Sequence, residues 1–342
     1  MQKEITERIS LLNEEGNLTC PGFARKLLAT YKSPETFWER FKTKQWDYYY
    51  VGNNHFGLCL TIDDNGYMGL DSVSFLDFDN KWEITKSTMQ VMTLGKKNLP
   101  TTSEVGDLKS YGTSYNITFR NDGTTRILEG FMNDFDKKEP IIFNVTLTDF
   151  PEESMVIMTP FDKPKHYYYN QKINCMKAEG KVTIGKREYI FNKEDSYGTL
   201  DWGRGIWTYE NTWYWSSLST TVDGEPFGFN LGYGFGDTSA ASENMLFYKG
   251  KAHKLDQVRF NIPQIDGKDD FMSPWTLTSN DERLRLNFLP IIDRAACTNA
   301  LVILSDQHQV FGHFNGYCIL DDGTKITLNN AVGFAEKVHN KW

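Results

Sequence analysis

The chain has 342 residues, 39% of them hydrophobic and 14% aromatic, with 45 acidic against 37 basic side chains and a net charge of -8. That length suits two units of about 150 residues each better than one compact domain. Charges scattered without a basic run exclude the clustered Lys and Arg that bind nucleic acid or anionic lipid surfaces.

The opening stretch MQKEITERISLLNEEG is charged and lacks the apolar core of a signal peptide. Ile5, Ile9 and Leu12 stand at helical spacing there. Ser33-Pro34 before ETFWERF reads as a cap followed by proline at the first helical position, with Phe37 and Phe41 on one face. No run approaches the roughly 18 apolar residues of a spanning helix, so no membrane insertion is expected. The five cysteines, Cys20, Cys59, Cys175, Cys297 and Cys318, form no CxxC. An odd, sparse set reads as reduced thiols in a cytoplasmic protein.

Beyond the helices, turn signals recur. DDNG at 63–66, NDG at 121–123, DG at 223–224, KG at 249–250 and DDG at 321–323 each separate two β-rich runs. Gly after Asp or Asn takes the positive φ of a tight hairpin, so five antiparallel hairpins are expected. No βαβ alternation appears. The segment TPFDKPKHYYYNQKINCMKAEG carries two prolines and irregular polarity, and it suggests a division into units 1–178 and 179–342. In FGFNLGYGF, Phe227, Phe229, Leu231, Tyr233 and Phe235 alternate with Gly228, Asn230, Gly232 and Gly234. One face of that strand is aromatic and the other almost bare. Its hairpin partner carries Trp213 and Trp215, which, if set opposite the glycines, form either a ligand platform or rings packed on bare backbone.

Three stretches could carry chemistry. SYGTLDWGRGIWTYENTWYWSS holds Asp201 and Arg204 among glycines, with Trp202, Trp213 and Trp215 nearby. A bend at the glycines would bring Asp201 and Arg204 together, as a proton-transfer site or as a structural ion pair. An Asp in a tryptophan-lined pocket is favoured in its neutral form and can act as an acid. In GFGDTSAASENMLF, Glu243 is a candidate second carboxylate facing Asp201, with Asn244 beside it; the alternative is a loop acid at a strand edge. At the C-terminal end, His313 is a candidate lining residue, and Glu336 could pair with Arg294 or Arg204. Asn230 and Tyr233 complete the expected wall. No HExxH zinc motif, GxGxxG dinucleotide turn, GxxxxGK[ST] loop or GxSxG elbow occurs, so neither a metal nor a cofactor is expected.

The stretches quoted above, with SENMLFYKGKAHKL, DERLRLNFLPIIDR, QVFGHFNGYCILDDGTKI and, near the start, DYYYVGNNHFGLCLTIDDNGY, resemble domain-of-unknown-function family 2804 along essentially the whole chain. That family is similar, more distantly, to carotenoid 1,2-hydratases and AttH-like proteins. The resemblance implies an all-β fold of two packed lipocalin-like barrels. It also implies proton-transfer chemistry, as in a hydratase, dehydratase, cyclase or isomerase. Fold kinship does not transmit function. The expected partner is a small molecule: a lipid, a terpenoid or a sugar. An acid/base enzyme using Asp201 and Glu243, a carbohydrate-active hydrolase or lyase with paired carboxylates, a non-catalytic carrier and a structural protein all remain open here.

Overall fold

The computed structural model describes residues 2–300 and 303–341. Its architecture is all-β: a 13-stranded and a 9-stranded antiparallel sheet account for nearly every element. All five expected hairpins form, with positive φ at Gly66, Gly123, Gly224, Gly250 and Gly323.

Both sheets curl because one face of each is packed with apolar side chains. In the first, Tyr49, Leu60 and Val73 pair side by side and join Leu200, Phe143 and Trp202 in one core. In the second, Phe227, Phe229 and Leu231 pack with Trp275, Leu286 and Phe314. The two ends of the first sheet are tied together by a fully buried carboxylate, Asp71. It accepts hydrogen bonds from Ser110 Oγ at 2.7 Å, Tyr115 OH at 2.6 Å and Gln90 Nε2 at 3.0 Å, and it pairs with Lys97 Nζ at 2.7 Å.

The two curled sheets meet by their outer faces. The long strand Tyr167–Ile184 makes the principal contact. A bulge between Ile173 and Met176 puts Cys175 at φ +62 and projects Asn174 into the second sheet. There the Asn174 amide donates to Ser217 Oγ at 2.8 Å and to the carbonyls of Leu218 and Phe229 at 3.3 and 3.1 Å. Gly228 is bare for this reason: a Cβ on it would stand 2.7 Å from Cys175 Sγ.

Three expectations differ from the structure. Residues 2–12 are extended, because Ile5 donates to the Phe23 carbonyl and Ile9–Ser10 pairs with Ala29–Thr30; pairing displaced the helical periodicity. The one helix among the described residues is Phe37–Lys42, capped by Thr36 with Glu39 closing a capping box, three residues after Ser33. The segment read as a division, 159–180, contributes instead to the longest strand, buried on both faces over most of its length. Sheet membership changes at residues 207–209, so Tyr197–Ile206, carrying Asp201 to Gly205, lies in the first sheet although it follows residue 178. No helix among the described residues is long and apolar enough to cross a membrane.

Replacing Asp71 by Ala would leave the Lys97 ammonium buried without its counter-charge. A loss of about 3–5 kcal/mol is expected. Urea unfolding measures it; an unchanged midpoint would show that the sheet closes without this carboxylate.

Candidate active site between the two sheets

The strand pleat that sends Tyr49, Leu60 and Val73 inward sends their neighbours Tyr48, Thr61 and Ser72 outward, toward the second sheet. Pairing registers then line up a transverse row: Lys172, Asp201, Tyr48, Thr61, Ser72 and Ser87 stand opposite one another on five successive neighbouring pairs. The second sheet presents a matching row of Arg294, Gln309, Glu336, Trp215 and Gly232. Between the two rows lies a cavity of about 280 Å³, walled at one end by Trp46, Tyr168, Trp207, Trp213 and Phe235. The rings form one continuous cluster: Trp46 stacks on Tyr168 at 9° between planes, and Phe235 meets Trp207, Trp213 and Tyr168 edge-on at 4.8 to 5.3 Å.

At its centre is a buried cation. Lys172 is 3% exposed, and its Nζ stands 2.7 Å from Asp201 Oδ2 and 3.9 Å from the ring centre of Trp215. Asn170 Nδ2 donates to the other Asp201 oxygen at 2.6 Å. Glu336 accepts from Trp213 Nε1 and from Gln309 Nε2, both at 3.0 Å. Glu243 reaches the space left by Gly232, where a Cβ would collide with its carboxyl, and accepts from Asn230 Nδ2 at 3.2 Å. Asn230 in turn accepts from Trp215 Nε1 at 2.7 Å, which fixes the indole face against Lys172.

Burial pushes the Glu336 carboxyl up to about 7, against the pull of Trp213, Lys172 and Arg294, with Asp201 adding to the rise. Burial also raises Glu243, partly offset by Lys172 and Asn230. The Tyr168 hydroxyl is pushed far above its usual range by burial first, then by the fields of Glu243, Asp201 and Glu336. Asp63, on the hydroxyl-bearing side of the cavity, is raised to about 7 by burial. The site therefore sets the ion-paired Asp201 carboxylate beside Glu336, a carboxyl poised to exchange a proton near neutrality, with the Lys172 ammonium acting on both, while Asp63 is a second such carboxyl on the hydroxyl-bearing side. Contrasting environments of this kind separate an acid from a base.

Of the residues singled out in the sequence, Asp201, Glu243, Trp213 and Trp215 line this cavity, and Asn230 braces two of them. Trp215 stands opposite Gly232, the register that the hairpin suggested, and the space Gly232 leaves holds the Glu243 carboxyl. The others lie elsewhere. Asp201 and Arg204 do not meet, because a spacing of three in a strand puts them on opposite faces. Arg204 pairs with Asp47 at 3.0 Å and stacks over Trp202, which fills the first core. Tyr233 stacks on Tyr214 in an open groove on the far side of the second sheet. Asn244 braces the backbone of Gly232 and Asp256, and His313 is half-buried beside the Asn330 carbonyl, away from the cavity. Glu336 pairs with neither arginine directly. Lys172, Tyr48, Tyr168 and Gln309 carried no local sequence signal. Among the described residues no group of three or more His, Cys, Asp or Glu is placed to share a metal ion.

The chain and its fold have relatives. The sequence matches the family Domain of unknown function (DUF2804) over residues 2–342, and the chain belongs to that family. Among curated proteins none matches significantly. Among solved structures, kievitone hydratase from Nectria haematococca is similar with a TM-score of 0.52 at 11% identity, over 87% of this chain and 88% of that one. A putative AttH protein from Nitrosomonas europaea is similar with a TM-score of 0.53 at 10% identity, over 88% of this chain and 92% of that one. The fold is thus the pair of lipocalin-like units that the family resemblance implied.

The raised Glu336 carboxyl predicts a pH signature. Its folded value of about 7 exceeds the ordinary 4.5, so its neutral form is favoured by folding, and the contribution is full below pH 4.5 and lost as pH rises through 7. Relative to Glu336→Gln, the wild type should lose up to about 3 kcal/mol across that window. Denaturant unfolding at a series of pH values compares the two, and parallel pH profiles would contradict the assignment.

Proposed function

We propose that this member of the family is a cofactor-independent acid/base enzyme, of hydratase, dehydratase or isomerase type, acting on a small molecule held between the two sheets. The observation that carries the reading is the pairing of Glu336, able to give a proton near neutrality, with the Lys172-bound Asp201 in one aromatic cavity. Glu336 delivers a proton to the substrate. Asp201 removes one from a water or from a C–H bond, and Lys172 holds that carboxylate in place. Water is thus added or lost across a double bond, or a proton is moved from one carbon to another, with no net change of oxidation state, and solvent exchange restores both carboxyls.

Glu243 is the second buried acid that can stabilise or relay charge. Trp213, Trp215 and Tyr168 supply ring faces that stabilise developing positive charge and keep water from competing. The kinship in fold with a protein named a hydratase fits this chemistry. Five free cysteines fit a reducing, cytoplasmic setting.

Small molecules that co-purify with the chain, identified by mass spectrometry, supply the candidate substrate. With it, Asp201→Asn and Glu336→Gln should each lower turnover by roughly 10²- to 10⁴-fold while leaving binding nearly intact. A bound molecule that is never converted, or turnover indifferent to both changes, would make the protein a carrier instead.

A further inference from the structure

The cavity has a second cationic group that the acid/base reading does not use. Arg294 ends the transverse row of the second sheet, next to Gln309 and opposite the hydroxyl-bearing strands of the first. Among the described residues its guanidinium makes one hydrogen bond, Nη1 to Ser74 Oγ at 2.8 Å, and no ion pair within 4 Å. Its Nε is buried with no partner at all. Glu336 and Glu83 are its acidic neighbours, felt at a distance rather than in contact. Lys172, by contrast, is already neutralised by Asp201. A guanidinium that loses its hydration without gaining a carboxylate is costly, so an unspent fork at a cavity wall marks a place for an anion.

The surroundings narrow the anion. Ser72 and Ser74 are tied to Ser87 and Thr85 by hydroxyl bonds of 3.1 and 2.9 Å, and Thr61 lies beside Ser72. These groups offer hydrogen bonds without charge. A dianion would face Glu336 and Glu83, whereas a monoanion with two coplanar oxygens matches the fork of one arginine. Resting on the reading of this cavity as a ligand site, the geometry points to a substrate that bears a carboxylate. The carboxylate seats on Arg294 and the hydroxyl-bearing wall, and its apolar body lies toward Trp213 and Trp215, past Glu336. One anchored end would set which substrate atom faces the proton donor.

The test uses the full chain and a matched pair of probes, trans-cinnamate and its neutral amide cinnamamide, by isothermal titration calorimetry. Wild type should bind the carboxylate at least about tenfold more tightly than the amide. Arg294→Met should erase that preference while leaving amide affinity within about twofold, and Arg294→Lys, which keeps charge but not the fork, should retain only part of it. Equal binding of the two probes by wild type, no carboxylate binding at millimolar concentration, or an undiminished preference in Arg294→Met overturns the assignment. The wild-type comparison alone decides if either variant fails to fold. Glu336→Gln should keep the carboxylate preference, so loss of turnover in that variant with the preference intact separates the anion site from the catalytic reading.

Discussion

A lysine held almost out of water between two apolar-cored sheets is the constraint from which the rest of the site follows. The Lys172 Nζ stands 2.7 Å from Asp201 and 3.9 Å from the Trp215 face. An isolated ammonium would cost several kcal/mol in such a place. Its field reaches Glu243 and Glu336, holding both below where burial alone would put them. The aromatic rings that exclude water are also what make these charges matter, because interactions weaken far less in a dry cavity than at a surface.

The architecture serves that arrangement through strand parity. Each sheet turns one set of alternate residues into its own core and the other set toward its partner. Tyr49 and Tyr48 show the division within one strand: the first packs on Phe119 in the core, the second meets Trp215 and Gln309 across the interface. The cavity is thus not the lumen of either unit but the seam between them, where polar rows face each other and glycines make room for Cys175 and Glu243. Binding sites commonly form where two units meet.

How much of this was legible in the sequence depends on the range of the contacts. The Asp223-Gly224 turn dictates by simple counting that Trp215 opposes Gly232, and so it does. Asp201 was visible among its tryptophans, and Glu243 after its loop. The same period of two argues against an Asp201–Arg204 pair, and the glycines, which suggested a bend, accommodate the Trp46 and Tyr167 groups packed on them instead. Lys172 was hidden for a different reason. Its partner strand begins 25 residues later, and the next strand in the row, Lys44–Gly52, lies more than 100 residues earlier, so no local pattern announces the pairing. The prolines at 160 and 164 precede the strand and gave it the look of a connector.

A buried ion pair kept for chemistry differs from one kept for folding in what its removal does. The most direct measurement is the unfolding free energy of the double variant Lys172→Met, Asp201→Leu against wild type at neutral pH. If the charges serve proton transfer, apolar groups of similar size should leave stability unchanged or raise it by about 1–4 kcal/mol. A loss of several kcal/mol, with the sheets no longer docked, would contradict the account and make the pair a structural tie.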